Sequence, residues 1–279
     1  MTVAFQGELG AFSEEAVRAV FAEAELAPQP TFDDVFEALE GGAVDRAVIP
    51  IENSLFGSVH VNYDLLRTHE VQIVGEHKHR IRHHLMGAAS ASMEAVQKVV
   101  SHPQALGQCR QFLRERLPQA ATQAAYDTAG AARDVAEAGA PEVAAIASRS
   151  AAERYGLQIL AAEIEDHPQN FTRFLVLARS ADVASATAGP PDKTSVVFAL
   201  RENVPGALFK SLAVFALREL DLFKIESRPK VGAPGRYLFY LDVEGAASDE
   251  PVTKALDHLG EITTMLKVLG SYPRDETFA

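Results

Sequence analysis

The sequence is poor in residues that cross-link or anchor a protein, with one cysteine, four methionines and no tryptophan. A single cysteine, Cys109, excludes both an internal disulfide framework and a zinc site made of cysteines. No run of 18 apolar residues occurs, so the sequence predicts no association with a membrane. The first ten residues, MTVAFQGELG, lack the basic start and long apolar core of a signal peptide, which predicts a cytoplasmic location.

Basic residues are scarce relative to acidic ones. The chain has 26 Lys and Arg against 38 Asp and Glu, a formal net charge of −12 over 279 residues. Nucleic-acid binding depends on a basic surface, so we expect no nucleic-acid partner. An acidic chain that binds an anion must use local groups instead, such as helix N-termini or single arginines.

Several common catalytic signatures are missing as well. The sequence has no phosphate-binding P-loop, no GxGxxG, no GxSxG and no HExxH. Four histidines lie close together at His77, His79, His83 and His84. His77 and His79 would share one face of a strand, but no third ligand is placed beside that pair to complete a metal site. We therefore expect a solvated basic strand or hinge there and no metal.

One segment divides the chain. Residues 180–193, SADVASATAGPPDK, are small and polar and contain Gly-Pro-Pro, which predicts a linker at 181–193. Before it, over residues 1–180, short apolar runs alternate with helical patterns, among them a helix over Leu106–Leu117, and this predicts an α/β domain. After it, over residues 194–279, the order βαββαβ predicts a ferredoxin-like domain.

Polar clusters follow predicted strands at four points of the first domain. They are Glu52–Ser54, Ser101–Gln104, Asp127–Gly130 and Ser148–Ser150. Ligands of open parallel sheets bind outside the carboxyl ends of the strands, where helix N-termini favour anions. The clusters thus predict an anion-binding cleft, although Ser, Thr, Asp and Asn are also ordinary helix caps.

A fifth polar cluster opens an apolar strand, at Asn170–Phe174. Arg173 offers a two-pronged donor for a carboxylate, and Thr172 offers a hydroxyl. The alternative interpretation is an edge strand with exposed polar residues.

Taken in order, these motifs resemble those of the prephenate dehydratase family with a C-terminal ACT regulatory domain. The resemblance runs from Val3 to about Pro273. The motifs that carry it are Phe5-Gln6-Gly7, Pro50–Ser54, Ser101–Ala105, Asp127-Thr128-Ala129, Tyr155-Gly156-Leu157, Asn170–Phe174, Pro205–Leu208 and Glu226–Pro229.

The resemblance implies an α/β fold with a bilobed, periplasmic-binding-protein-like catalytic domain, whose second lobe covers about residues 81–165, followed by the ferredoxin-like ACT domain. It implies a carbon–oxygen lyase that converts prephenate to phenylpyruvate, with loss of water and carbon dioxide, in L-phenylalanine biosynthesis. Aromatisation of the ring drives this reaction, so neither a cofactor nor a metal is expected.

The resemblance also implies roles for individual residues. Thr172 assists departure of the ring hydroxyl as the catalytic residue. The expected substrate-binding residues are Asn53, Ser54, His102, Thr128, Ser148, Arg173 and Phe174.

A regulatory site for L-phenylalanine is implied in the ACT domain, with a homodimer or homotetramer formed through that domain. Two positions depart from the family pattern, Phe223 at the effector site and Asp127 in the cleft. The expected effector-binding residues are Asn203, Pro205, Gly206, Ala207, Leu208, Glu226 and Ser227.

Two other functions stay open at this point. An arogenate dehydratase carries the same motifs and acts on the aminated form of the substrate. A small-molecule sensor without catalysis would also combine a bilobed domain with a regulatory domain.

Overall fold

The computed structural model describes residues 1–187, 189–230 and 232–275, and in these ranges the chain forms three β-sheets with packed helices. They divide into two compact units. The first contains Met1–Val59 and Lys78–Phe174, and the second contains His60–His77 and the chain from Leu175 onward. Within the described ranges, no helix has the length and apolar character needed to cross a membrane.

The first 80 residues contribute five strands and three helices. β1 is fully buried at Val3, Ala4 and Phe5, and it pairs in parallel with β2 and β3. A capping box between Thr31 and Asp34 begins α2. The elements are β1 (Thr2–Gln6), α1 (Phe12–Val20), β2 (Glu25–Gln29), α2 (Phe32–Glu40), β3 (Arg46–Asn53), β4 (Gly57–Ser58), α3 (His60–Thr68) and β5 (Val71–Arg80).

The next segment forms a second, five-stranded sheet in the order β10-β6-β9-β7-β8. Its elements are β6 (His84–Gly87), β7 (Lys98–Ser101), α4 (Pro103–Gln108), α5 (Arg110–Arg116), β8 (Ala121–Ala124), α6 (Thr128–Ala138), β9 (Val143–Ala147), α7 (Arg149–Tyr155) and β10 (Gln158–Ala161). β7 is parallel to β8 and β9, whereas β6 is antiparallel to β9 and β10. The single helix predicted over Leu106–Leu117 is wrong, because the chain leaves helical geometry at the buried Cys109 and forms α4 and α5 instead.

The chain then returns to the first sheet through β11 (Phe171–Arg179). That sheet has the order β2-β1-β3-β11-β5, with β4 paired to β3. A 3₁₀ turn (Ser180–Asp182) and α8 (Val183–Ala186) follow, in the predicted linker. Ala188 of that linker lies outside the described residues.

The C-terminal sheet has the predicted βαββαβ order. Its strands pair antiparallel in the order β13-β14-β12-β15, and its core contains Phe198, Phe215 and Leu259. The elements are β12 (Lys193–Leu200), α9 (Ala207–Ala216), β13 (Leu222–Pro229), β14 (Tyr237–Glu244), α10 (Glu250–Ile262) and β15 (Thr263–Tyr272). Of the predicted domain, Val231 and residues 276–279 lie outside the described residues.

Helix α3 belongs to the second unit and packs with the C-terminal sheet. The Tyr240 hydroxyl donates to the Tyr63 carbonyl at 3.0 Å. The Lys267 ammonium donates to carbonyls at the C-terminal end of α3, including that of His69 at 2.7 Å. The predicted domain boundaries at 180 and 194 remain predictions.

Candidate active site

A cavity of about 600 Å³ opens in the first unit, among loops that follow β1, β2, β3, β7 and β8. This volume fits a small organic ligand. Thr172 and Phe174 of β11 complete the wall. The predicted cleft at the carboxyl ends of the strands is therefore present in the structure.

Four helices begin at this cavity. The first residues of α1, α2 and α6 line it, as do His102 and Gln104 at the start of α4. Thr31, His102 and Asp127 cap three of these helices, but Ala11 gives α1 no side-chain cap. No lysine or arginine is among the described residues that line the cavity. Helix N-termini therefore supply the positive potential that a carboxylate ligand needs.

Asn53 fixes the hydroxyl of Thr172. Its Oδ1 accepts from the backbone N–H groups of Leu55 and Phe56 at 2.9 and 3.1 Å, which settles the orientation of the amide. Its Nδ2 then donates to Thr172 Oγ1 at 3.0 Å. Thr172 is 8% exposed, and within the described residues its hydroxyl donates to no protein acceptor. The hydroxyl proton is thus available to a ligand in the cavity.

His102 presents a neutral ring to the same cavity. Its Nδ1 accepts from the backbone N–H of Gln104 at 3.2 Å, so the proton of the neutral ring lies on Nε2. Burial lowers the pKa of His102, while the charge of Asp127 opposes that shift. His102 is therefore a hydrogen-bond donor through Nε2 and not a cation near neutral pH.

Two predicted substrate-binding hydroxyls form hydrogen bonds with backbone groups of the fold. The Ser54 hydroxyl donates to the Gln169 carbonyl at 3.0 Å and accepts from the Phe171 N–H at 3.0 Å. The fully buried Ser148 hydroxyl donates to the Gly10 carbonyl at 2.6 Å and caps α7 through the Ala151 N–H. Neither residue lines the cavity. Backbone groups therefore already bind both hydroxyls, and the substrate-binding roles of Ser54 and Ser148 stay predictions.

Arg173 is likewise not brought to the cavity. Thr172 and Phe174 line it, and side chains of a strand alternate between the two faces of a sheet. Arg173 lies between them and leaves β11 on the opposite face. Its contact with a substrate carboxylate stays a prediction, and the helix N-termini are the groups that line the cavity for such a ligand.

Thr128 does line the cavity, together with His83 and Gln108, which no motif assigned to a ligand site. His83 is 2% exposed, and its Nε2 lies 2.5 Å from Gln108 Oε1. Burial lowers the pKa of His83. The histidine cluster drew attention to His83, but nothing in its spacing indicated that Gln108 is its partner.

The predicted effector residues lie in the second unit, on the loop before α9, at the start of α9 and on β13. Gly206 has a φ of +82° and begins α9 without a side-chain cap. Asn203 donates to the Gly235 carbonyl at 3.2 Å, and Glu226 lies 3.4 Å from the ring of His60 and 3.7 Å from the Lys224 ammonium. Pro205, Ala207, Leu208 and Ser227 stand beside them in the sequence, and the roles of all seven residues remain predictions.

Comparison with known proteins bears on the whole chain. A family model described as prephenate dehydratase matches residues 3–182. A relative from Arabidopsis thaliana, named arogenate dehydratase/prephenate dehydratase 2, chloroplastic, is 48% identical, over 99% of this chain and 73% of its own length. Arogenate dehydratase 2 from Petunia hybrida is 46% identical, over 100% of this chain and 73% of its own.

A solved structure gives the same result for the fold. The prephenate dehydratase from Arthrobacter aurescens, in complex with L-Phe, superposes with a TM-score of 0.90 at 34% identity, covering 99% of this chain and 91% of that one. The expected periplasmic-binding-protein-like catalytic fold with a C-terminal ACT-like domain is confirmed. The family match, the relatives and the structure show that the chain belongs to the prephenate dehydratase family.

Proposed function

We propose that the protein is an arogenate dehydratase, which converts arogenate to L-phenylalanine with loss of water and carbon dioxide. The observation that carries the proposal is the Thr172 hydroxyl, which accepts from Asn53 and keeps its proton for the cavity. Four helix N-termini around it are suited to the carboxylates of such a substrate. The reaction class rests on the family, and the choice of substrate is the proposal.

In the proposed reaction, the electrons of the bond to the ring carboxylate move into the ring as carbon dioxide leaves. They expel the ring hydroxyl at the opposite carbon, and a proton from solvent completes the water molecule. Thr172 donates a hydrogen bond to the departing oxygen, where negative charge develops. The Nε2–H of His102 is a second donor of the same wall.

The ring carboxylate must not be held too strongly, because a tight grip stabilises the ground state and opposes decarboxylation. The cavity also has apolar walls, with Phe12, Phe32 and Phe174 among them. We propose that the helix N-termini hold the side-chain carboxylate and that the apolar wall faces the carboxylate that leaves.

Charge favours the aminated substrate over the keto form. Asp33 and Asp127 line the cavity, and no lysine or arginine does among the described residues. Arogenate carries an ammonium and two carboxylates, whereas prephenate carries the two carboxylates alone. An acidic wall attracts an ammonium and repels a dianion. The names of the Arabidopsis and Petunia relatives support the same choice.

Prephenate dehydratase activity is the second candidate, because the Arabidopsis relative is named for both substrates and the Arthrobacter structure for prephenate. The test is turnover of each substrate by the purified protein, with L-phenylalanine and phenylpyruvate measured as products. We expect a kcat/KM for arogenate at least tenfold above that for prephenate. A higher kcat/KM for prephenate would make prephenate the substrate. If the protein turned over neither compound, its function would be binding without catalysis.

We also propose that L-phenylalanine binds the C-terminal domain and inhibits, and that this domain joins subunits of a homodimer or homotetramer. The L-Phe complex of the Arthrobacter enzyme supports the choice of ligand. Calorimetry with L-phenylalanine and sedimentation of the full chain test these two points. The cytoplasmic location remains a prediction, and the Arabidopsis relative is named as chloroplastic.

A further inference from the structure

Asp127 is a carboxylate of the cavity wall that protein donors hold in place. It caps α6 by accepting from the Gly130 N–H, and its Oδ2 accepts from the Glu8 N–H at 3.2 Å. The hydroxyl of Tyr126 donates to it as well, and burial together with this charge raises the pKa of Tyr126 to about 12. A carboxylate has about four lone-pair sites, so one position is left for a ligand.

No cationic side chain pairs with Asp127 within the described residues. Arg133, on the same helix, is engaged elsewhere: it lies 2.9 Å from Glu8 and 3.2 Å from Asp134. Asp127 therefore keeps an uncompensated negative charge in a partly enclosed site, and an ion pair with a bound cation would relieve it.

Gly7 lies beside this carboxylate and has no side chain that would cover it. Gly7 also lines the cavity, and a Cβ at this position would lie 3.4 Å from Asp127 Oδ2. Its φ of +111° is one that side-chain-bearing residues rarely adopt, so the backbone keeps this space clear. A ligand donor in the cavity is thus able to reach the carboxylate.

We infer that Asp127 binds the ammonium group of the substrate and selects the amino acid over the corresponding keto acid. This inference rests on the proposed dehydratase function and names the residue that sets its substrate. The groups that prephenate places at its side-chain end, a keto oxygen and a carboxylate, are acceptors that Asp127 repels. The ammonium of arogenate is the matching donor and carries the opposite charge.

The test changes the charge of Asp127 without removing the helix cap. Asn and Ser cap helices about as well as Asp, so Asp127→Asn and Asp127→Ser should both fold. We expect each to lower kcat/KM for arogenate at least tenfold, mainly through KM, and to leave that for prephenate unchanged or higher. Glu137→Gln is the matched control, because it removes an exposed acid of the same helix that does not line the cavity, and it should change the ratio of the two values less than threefold.

Calorimetric binding of arogenate and prephenate to the same proteins separates this inference from the proposed function. If the wild-type protein turns over neither substrate, the proposed function fails, and binding still decides the role of Asp127. Weaker binding of arogenate alone in both Asp127 variants supports that role. The role of Asp127 is overturned if the variants keep the wild-type preference between arogenate and prephenate, in kcat/KM or in affinity. It is also overturned if they lose the same factor for both substrates.

Discussion

Polar side chains are held by different groups in the cavity of the first unit and in the predicted effector region of the second. In the cavity, backbone N–H groups donate to the side-chain oxygens of Asn53 and Asp127, and the Asn53 amide donates to Thr172. In the effector region, Glu226 lies 3.4 Å from the ring of His60 and 3.7 Å from the Lys224 ammonium, and Gly206 begins its helix without a side-chain cap. A fixed array of donors suits a reaction, because it stabilises charge without reorganising. An array that includes charged side chains and an uncapped helix start suits a ligand that must change the protein when it binds.

The strongest test of the fixed array is removal of the Thr172 hydroxyl. Thr172→Val keeps the shape of the side chain but cannot donate to the departing oxygen, so we expect kcat to fall by about 10² to 10³. Thr172→Ser keeps the donor and should retain most of the activity. Steady-state kinetics of both variants check this, and a valine variant with wild-type kcat would remove the proposed role.

A second test reverses the hydrogen bond that orients Thr172. In Asn53→Asp, a carboxylate oxygen stands where Nδ2 donates at 3.0 Å, and it can only accept. The Thr172 hydroxyl then donates to this carboxylate, and its proton is lost to the cavity.

We expect Asn53→Asp to lower kcat by about 10², comparable to loss of one donor. The N–H groups of Leu55 and Phe56 keep their acceptor in this variant. The bonds from Nδ2 to Asn170 Oδ1 and to the Phe171 carbonyl are lost as well, so thermal unfolding is the control for a retained fold. Activity within threefold of wild type would show that the direction of this hydrogen bond is unimportant.

The predicted effector region is tested through Glu226. If its carboxylate accepts from the ammonium of L-phenylalanine, Glu226→Gln should weaken binding about tenfold, the value of one charge-assisted hydrogen bond. Turnover without L-phenylalanine should be unchanged. Calorimetry measures the affinity, and Glu261→Gln, an exposed acid on α10, is the control. Equal affinities in the two variants would place the effector elsewhere.

Glu226 is a cleaner target than Gly206. A valine at Gly206 would have to adopt a φ of +82°, which strains a β-branched residue whether or not a ligand binds. Loss of binding in Gly206→Val would therefore not separate a steric block from a rearranged loop.

The smallest effect is expected at Ser148, which is buried but does not line the cavity. Ser148→Ala removes the donor to Gly10 and the cap of α7, which should lower the free energy of unfolding by about 1 kcal/mol. Thermal unfolding measures this, with the exposed Ser90→Ala as control. A several-fold rise in KM at unchanged stability would instead support the predicted contact of Ser148 with the substrate.

Local patterns predicted much of the fold. The alternation of strands and helices in the first domain and the βαββαβ order of the C-terminal sheet were both visible, because they depend on residues close in sequence. The alternation of side chains along a strand also predicts that Arg173 faces the side opposite to Thr172 and Phe174. The motif around Thr172 does not by itself show which of its residues face the cavity.

The partners of polar side chains could not be predicted in this way. Ser54 and Ser148 have the same chemistry as Thr172, yet backbone groups more than 100 residues away occupy their hydroxyls. The break between α4 and α5 and the packing of α3 with the C-terminal sheet also depend on distant contacts.

Patterns close in sequence predicted the alternation of strands and helices, the motifs at the ends of strands and the family that the chain resembles. Which polar groups keep a free donor or acceptor for a ligand depends on the tertiary structure. The physical reason is that a hydroxyl or a carboxylate serves whichever partner the fold brings within about 3 Å, and that partner is usually distant in sequence.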